Sequence, residues 1–157
     1  MSVRLAKPTV AQVPAILELI GPEIAREAVL PRTARQIAER LRDYTVALRG
    51  DEVVGVASIS LVDLHLAEVG VLQATLPGIA STLLDAVLDE ARTMGVGRAF
   101  VLTADPARFE AEGFTRRPVQ SIPEKYERQC LKCARAPRCR QVALDRPLAP
   151  ALLAVAG

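Results

Sequence analysis

The chain has 157 residues, 50 % of them hydrophobic, which suffices for one substantial core and argues against two independent domains. Lysine and arginine nearly balance aspartate and glutamate, leaving a formal charge of +2, so there is no electrostatic footprint for nucleic acid or an anionic membrane surface. With no Trp, three Phe and two Tyr, the chain lacks stacking platforms for bases and its core must be aliphatic.

Val3-Arg4-Leu5-Ala6 alternates as an edge strand does, and Thr9 then caps a helix carrying Val10, Val13, Ile16, Leu17 and Ile20 at helical spacing. Pro31 interrupts the next stretch. Thr33 caps a second helix with Ile37 and Leu41 on its buried side, ending near Asp43. From Tyr44 the period changes: YTVALRG, a turn at Gly50-Asp51 and EVVGVASISLVD predict a hairpin with a two-residue loop, and a third run from His65 to Ala74 pairs with it. Pro77-Gly78 opens a strongly periodic helix through Ile79, Leu83, Leu84, Val87, Leu88 and Ala91, with Gly95 as its stop. Arg98 to Thr103 is expected as a buried strand, Asp105-Pro106 as the start of a short helix containing Phe109, and Gly113-Phe114 as the lead into a strand with Val119. A helix from Lys125 to Cys130 comes next, then a last strand from Gln141 to Leu144. The Pro- and Ala-rich end reads as a loose tail, giving expected boundaries of one domain over 1–146 and a tail over 147–157.

This order predicts an α/β (α+β) fold, a mixed, mostly antiparallel sheet with helices on both faces. The start has no apolar stretch of signal-peptide length and no later run is long and uncharged enough to span a bilayer, so a cytoplasmic protein is expected. Three cysteines crowd together as Cys130-x2-Cys133-x5-Cys139; an odd count argues against a disulfide framework. Thiolates at that spacing can converge on zinc, but a structural site takes four ligands and no fourth is evident nearby, so no metal is assigned. Lys132, Arg135, Arg138 and Arg140 around them either lower thiol pKa values or form a solvated basic face, which can also receive an anionic substrate or partner.

Chemistry concentrates at the strand-to-helix junction Leu72-Gln73-Ala74-Thr75-Leu76-Pro77-Gly78-Ile79-Ala80-Ser81. A helix that begins at a glycine turn points backbone N–H groups and its positive dipole end outward, which suits phosphate. Gly78 and Ala80 let a ligand approach the backbone, and Ser81 adds a hydroxyl. The plain reading of Pro-Gly at a helix start is an ordinary turn.

In context, Thr75-x-x-Gly78-x-Ala80 and the later Phe109-Glu110-Ala111-Glu112-Gly113-Phe114 resemble the cofactor loop and short-helix turn of the GNAT N-acetyltransferase superfamily. Leu30-Pro31-Arg32-Thr33, Leu66-Ala67-Glu68-Val69, Ile122-Pro123-x-Lys125 and the cysteine run are similar, in order, to the small stand-alone N-acetylglutamate synthases. That resemblance implies the GNAT fold, acetyl coenzyme A as co-substrate, and acetyl transfer to the α-amine of an amino acid such as glutamate, a step of arginine biosynthesis. It implies a small-molecule amine as partner, no nucleic acid and no membrane, and a homodimer is compatible with it.

Transfer to an amine needs a proton acceptor, an oxyanion donor and alignment of both substrates. Under the resemblance Glu68 is the base, directly or through a water; its plain alternative is a solvent-facing strand-end carboxylate. Cofactor binding falls to Leu72, whose backbone N–H would take the oxyanion, and to Gln73, Ala74, Gly78, Ile79, Ala80 and Ser81. Carboxylate recognition falls to Arg32 and Lys125. His65, the only histidine, reads as an exposed strand residue.

The chain departs from the family pattern at several positions. Its loop is shorter and lacks the Asp-Pro-x-x-Arg-Gly stretch, Thr75 replaces Gln or Arg, and Gly70 replaces an arginine. Glu127 and Gln129 replace an aromatic residue and Asp. Three readings stay open: amino-acid N-acetyltransferase, a related enzyme for a different amine, and a non-catalytic binding or regulatory protein of the same fold.

Overall fold

Strand β1 (Val3–Ala6) lies antiparallel to β2 (Tyr44–Arg49), with Leu5 opposite Ala47. This computed structural model describes residues 2–25, 31–134, 136 and 139–149. The chain forms two compact units, one from Met1–Ser60 with Val69–Glu90, the other from Leu61–Glu68 with Ala91–Gly157.

In the first unit, the Thr9 N–H donates to Gln12 Oε1 at 2.9 Å and starts a 3-10 turn that runs into helix α1 (Val13–Ala25). Val13, Ile16 and Ile20 recur on one face and are buried. Val10, expected beside them, is 69 % exposed, because it belongs to the 3-10 turn, whose tighter period carries it off that face. Thr33 caps helix α2 (Ala34–Glu39) reciprocally: its Oγ1 accepts from the Gln36 N–H at 3.1 Å and its own N–H donates to Gln36 Oε1 at 2.8 Å. Strand β2 turns at Gly50, φ +62, into β3 (Glu52–Asp63), with Arg49 opposite Glu52, so the loop has the expected two residues. Strand β4 (Leu66–Ala74) begins one residue after His65 and runs back along β3, the Val71 and Thr75 N–H groups donating to Ser58 Oγ and the Val54 carbonyl. Strand neighbours in this unit follow β1-β2-β3-β4. Ile16, Ile20, Ile37, Tyr44, Val46, Val56 and Val71 meet in one buried cluster, each large aliphatic side chain contributing about 1.5–3 kcal/mol of burial.

Helix α3 (Ile79–Thr93) buries Leu83, Leu84, Val87 and Leu88. Gly95, φ +88, stops it: the Val96 N–H donates to Ala91 O at 3.1 Å and the Gly95 N–H to Arg92 O at 2.9 Å, closing the last turn.

In the second unit β7 (Val142–Pro147) lies between β5 (Arg98–Thr103) and β6 (Thr115–Arg117), antiparallel to both. Helix α4 (Pro106–Glu110) ends at Gly113, φ +87, with Phe114 N–H on Phe109 O at 3.1 Å. The two rings flanking that stop meet edge to face at 5.5 Å, so Phe109-x-x-x-Gly113-Phe114 is a self-packing helix terminus. Buried Asp145 of β7 takes Arg98 of β5 at 2.6 Å and Arg117 of β6 at 3.1 Å. Leu66, Phe100, Ile122 and Ala143 form this unit's core.

Three expectations are corrected. Val119 is not in a strand: Pro118, which has no N–H to give a ladder, closes β6, and Val119–Ser121 is a 3-10 turn. The helix expected from Lys125 is α5 (Pro123–Tyr126), opened by Pro123, while Cys130–Lys132 is a separate 3-10 turn. The tail does not begin at 147, since β7 includes Pro147 and buried Leu148 donates its N–H to Gly97 O at 2.9 Å. Residues 150–157 of that expected tail, and Leu30 of the Leu-Pro-Arg-Thr run, lie outside the described residues. Among the described residues no helix is long and apolar enough to cross a membrane.

Candidate active site

The junction from β4 to α3 is held at both ends by adjacent residues of β3. The Thr75 N–H and Oγ1 both donate to Val54 O, at 2.9 and 3.3 Å. Gly55 lies under the first turn of α3, where a Cβ would come within 2.8 Å of Leu83 Cδ1 and 3.0 Å of Ile79 Cγ2. Between these points Gly78 adopts φ +79 with open space where a Cβ would stand, and its carbonyl accepts from the Thr82 N–H at 3.2 Å and Thr82 Oγ1 at 3.1 Å. Gly78 thus begins the helix, and the Ala80 N–H belongs to the first turn, whose donors point out of the helix start with the positive end of the dipole. Leu72 is buried, Gln73, Ala74, Ile79 and Ala80 are half-buried, and Ser81 is exposed. Because Val71 and Thr75 direct their N–H groups toward β3, strand alternation turns the Leu72 N–H the other way.

Arg32, just before the α2 cap, reaches over the same strand: its Nη2 lies 3.4 Å from where a Cβ on Gly70 would stand. That Cβ would also collide with Ser58 Oγ. Arg32 Nη1 is buried and has no hydrogen-bond partner among the described residues. Burial pushes the nearby Tyr44 phenol above its usual pKa; the Arg32 charge opposes that shift and Asp43 adds to it. A half-buried guanidinium with a buried donor to spare is a carboxylate receptor in chemical type.

In the second unit Glu68 meets Lys125, Oε1 to Nζ, at 2.9 Å, with side chains 18 % and 11 % exposed. Lys125 also donates to Gln129 Oε1. Glu124, next to Lys125, lies 3.6 Å from the exposed His65 through one oxygen, and its Oε2 is buried without a hydrogen bond among the described residues. The Cys130 thiol is pushed above its usual pKa chiefly by burial; Lys125 opposes this, while Cys139, Cys133 and Glu68 reinforce it. Among the described residues no three His, Cys, Asp or Glu side chains are grouped to hold a metal.

Thus Lys125, expected on a substrate carboxylate, is placed on Glu68, whereas Arg32 retains a buried donor. Tyr44, Ser58, Gly55 and Gln129 were not singled out from the sequence as site residues. Gln129 had a signal, standing four residues after Lys125 at helical spacing. Ser58 and Gly55 had none beyond strand alternation, because only the folded chain shows what they face, β4 for Ser58 and the start of α3 for Gly55.

Residues 15–118 match the model of the acetyltransferase (GNAT) family. An uncharacterised N-acetyltransferase of Chlorobaculum tepidum is 30 % identical over 127 residues, 76 % of this chain and 80 % of that protein. An amino-acid acetyltransferase of Pasteurella multocida is 28 % identical over 79 % of this chain, which spans only 29 % of that enzyme. Among solved structures, N-acetylglutamate synthase of Neisseria gonorrhoeae, complexed with coenzyme A and N-acetyl-glutamate, superposes with a TM-score of 0.82 at 21 % identity, over 95 % of this chain and 36 % of that one. A Mycobacterium tuberculosis protein in complex with coenzyme A gives 0.80 at 22 % identity, over 93 % of this chain and 99 % of that one. The expected α/β class, a mixed and mostly antiparallel sheet with helices, is the fold of these neighbours. By the extent of the family match, the chain belongs to the acetyltransferase (GNAT) family.

Proposed function

We propose that this chain transfers the acetyl group of acetyl coenzyme A to the α-amine of an amino acid bearing a further carboxylate, glutamate being the acceptor its residues fit. The observation that carries the reading is Arg32, whose Nη1 is buried without a partner among the described residues, beside the side-chain-free Gly70. A guanidinium so placed is favoured by a carboxylate that supplies the missing acceptor. The Pasteurella relative's amino-acid substrate class and the N-acetyl-glutamate bound to the Neisseria synthase support the choice.

Acetyl coenzyme A supplies an activated thioester carbonyl. The Gly78 turn and the start of α3 take its pyrophosphate, the open ground at Gly78 admitting the phosphate oxygens to backbone donors. The Leu72 N–H donates to the oxygen that becomes negative as the amine nitrogen attacks. Glu68, earlier on the same strand, accepts the amine proton, directly or through one water. Lys125 holds that carboxylate in place. As the C–S bond breaks, the thiolate departs and the amide remains.

Lys125's engagement with Glu68 and Gln129 favours a second reading as well, since it removes one of the two cations expected for a dicarboxylate. An amine with a single carboxylate would then be the better acceptor. Calorimetric titration with acetyl coenzyme A, followed by an acetylation screen over glutamate, aspartate, alanine and non-amino-acid amines, separates these. Glutamate turnover whose KM rises about 10–100-fold in Arg32→Gln supports the first reading. Preference for a monocarboxylate supports the second, and absence of acetyl coenzyme A binding refutes both.

A further inference from the structure

Three thiols that acetyl transfer does not use lie near one another, one of them, Cys130, close enough to feel the charges of both Glu68 and Lys125, and the backbone around Cys130 and Cys133 has a definite form. The Cys133 N–H donates to Cys130 O at 3.2 Å, and the Lys132 N–H to Gln129 O at 3.2 Å, so Cys130–Lys132 is a 3-10 turn flanked by Gln129 and Cys133. In such a turn the side chains at i and i+3 eclipse, which sets Cys130 and Cys133 on the same side. Cα atoms spanning such a turn are less than about 7 Å apart, compatible with the roughly 4.4–6.8 Å of a disulfide. Both thiols are free and partly exposed, and Cys130 directly follows Gln129, the second acceptor of the Lys125 ammonium.

We propose that Cys130 and Cys133 form a reversible dithiol–disulfide site for oxidants of the peroxide class, whose closure withdraws Gln129 from Lys125 and so loosens the Glu68–Lys125 pair. This does not depend on the acyl-transfer reading. Cβ atoms at i and i+3 of a helical turn stand about 5–6 Å apart, whereas a disulfide draws them to about 3.8 Å. The backbone must therefore yield by roughly 1.5–2 Å, which exceeds what a hydrogen bond at the adjacent Gln129 tolerates.

The chemistry balances with peroxide as oxidant. Burial raises the Cys130 pKa, so the first attack is assigned to the Cys133 sulfur. That sulfur forms a bond to one peroxide oxygen, the O–O bond breaks, and the other oxygen leaves as water after taking a proton. The Cys130 sulfur then attacks the sulfenic sulfur, the S–O bond breaks, and hydroxide leaves with the thiol proton as a second water. Two thiols and one peroxide give one disulfide and two waters.

The test treats the whole chain with hydrogen peroxide, maps disulfides without reduction, and labels lysines with an amine-reactive ester before and after. The expected product is a Cys130–Cys133 link that dithiothreitol reverses. Lys125 labelling rises about two- to tenfold, the fold-change of losing one net hydrogen bond, while Lys7 labelling does not change. Cys133→Ser removes both effects and Cys139→Ser preserves both. Sulfinic or sulfonic products without a link, a link through Cys139, a link that leaves Lys125 labelling unchanged, or a labelling change that persists in Cys133→Ser would each overturn the proposal.

Discussion

Replacing Gly70 with alanine adds one carbon, yet the structure makes it a test of how β3 and β4 are joined. The new Cβ would collide with Ser58 Oγ, which is buried and accepts the Val71 N–H at 3.0 Å. The hydroxyl must rotate away, leaving a buried backbone donor without its acceptor at a cost of about 1–3 kcal/mol. Alanine returns about 0.4–1 kcal/mol by restricting the unfolded chain, so Gly70→Ala should lose roughly 1–2 kcal/mol. The Ser58 Cβ, in contrast, lies 3.8 Å from the added carbon, an ordinary contact. In a Ser58→Ala background the bond is already gone and only Arg32 Nη2, 3.4 Å from the added carbon at the edge of ordinary contact, remains near it, so Gly70→Ala should there be neutral or stabilising by up to about 1 kcal/mol. Urea unfolding of the four proteins gives the coupling directly. Equal cost in both backgrounds, or no cost in the wild type, would refute the placement of the Ser58 hydroxyl under residue 70.

Asp145→Ala should destabilise by about 2–3 kcal/mol, read as a lower urea midpoint, because it strands Arg98 and Arg117 together; their partial exposure keeps the loss below that of a fully buried pair. Gly78→Ala meets no atom and should cost only about 1–2 kcal/mol for the left-handed backbone, whereas Gly78→Glu should abolish acetyl coenzyme A binding in calorimetry while remaining folded. Tyr44 keeps its proton in the folded state beyond its ordinary pKa of 10.0, so the folded form binds more protons there and stability should fall as pH rises through and above that value. Tyr44→Phe should flatten this alkaline slope relative to the wild type in pH-dependent unfolding.

Element type was legible wherever period and punctuation agreed. Strand β1 shows period-two alternation, and the β2–β3 hairpin and the helix from Ile79 to its Gly95 stop combine periodicity with a glycine at positive φ. The fourth glycine at positive φ, Gly113, was equally legible. Failures fell where a single residue changed role. Pro118 ended β6 before Val119 was reached, and Val10 slipped from helix to 3-10 turn. In the site, the Gly78 turn and Arg32 were legible because their residue types carry their chemistry. The partner of Lys125 was not, because a lysine's reach is set by tertiary placement: from the sequence it suited a substrate carboxylate, and in the fold it meets Glu68, 57 residues away along the chain. Ser58 and Gly55 matter only through what stands opposite them.

Adjacent residues of one strand, Val54 and Gly55, stand at the two ends of the short loop after β4, and the stretch between is Leu76, Pro77 and Gly78. Ordering a backbone residue costs about 1–2 kcal/mol, and here most of that cost is met during folding rather than at the moment a ligand arrives. A longer loop offers more N–H groups but must be frozen to use them. This one offers few, already aimed, so its grip relies on preorganisation rather than on the number of contacts. The compromise lies in adaptability: a ligand whose phosphates sit slightly elsewhere finds a loop that does not follow it.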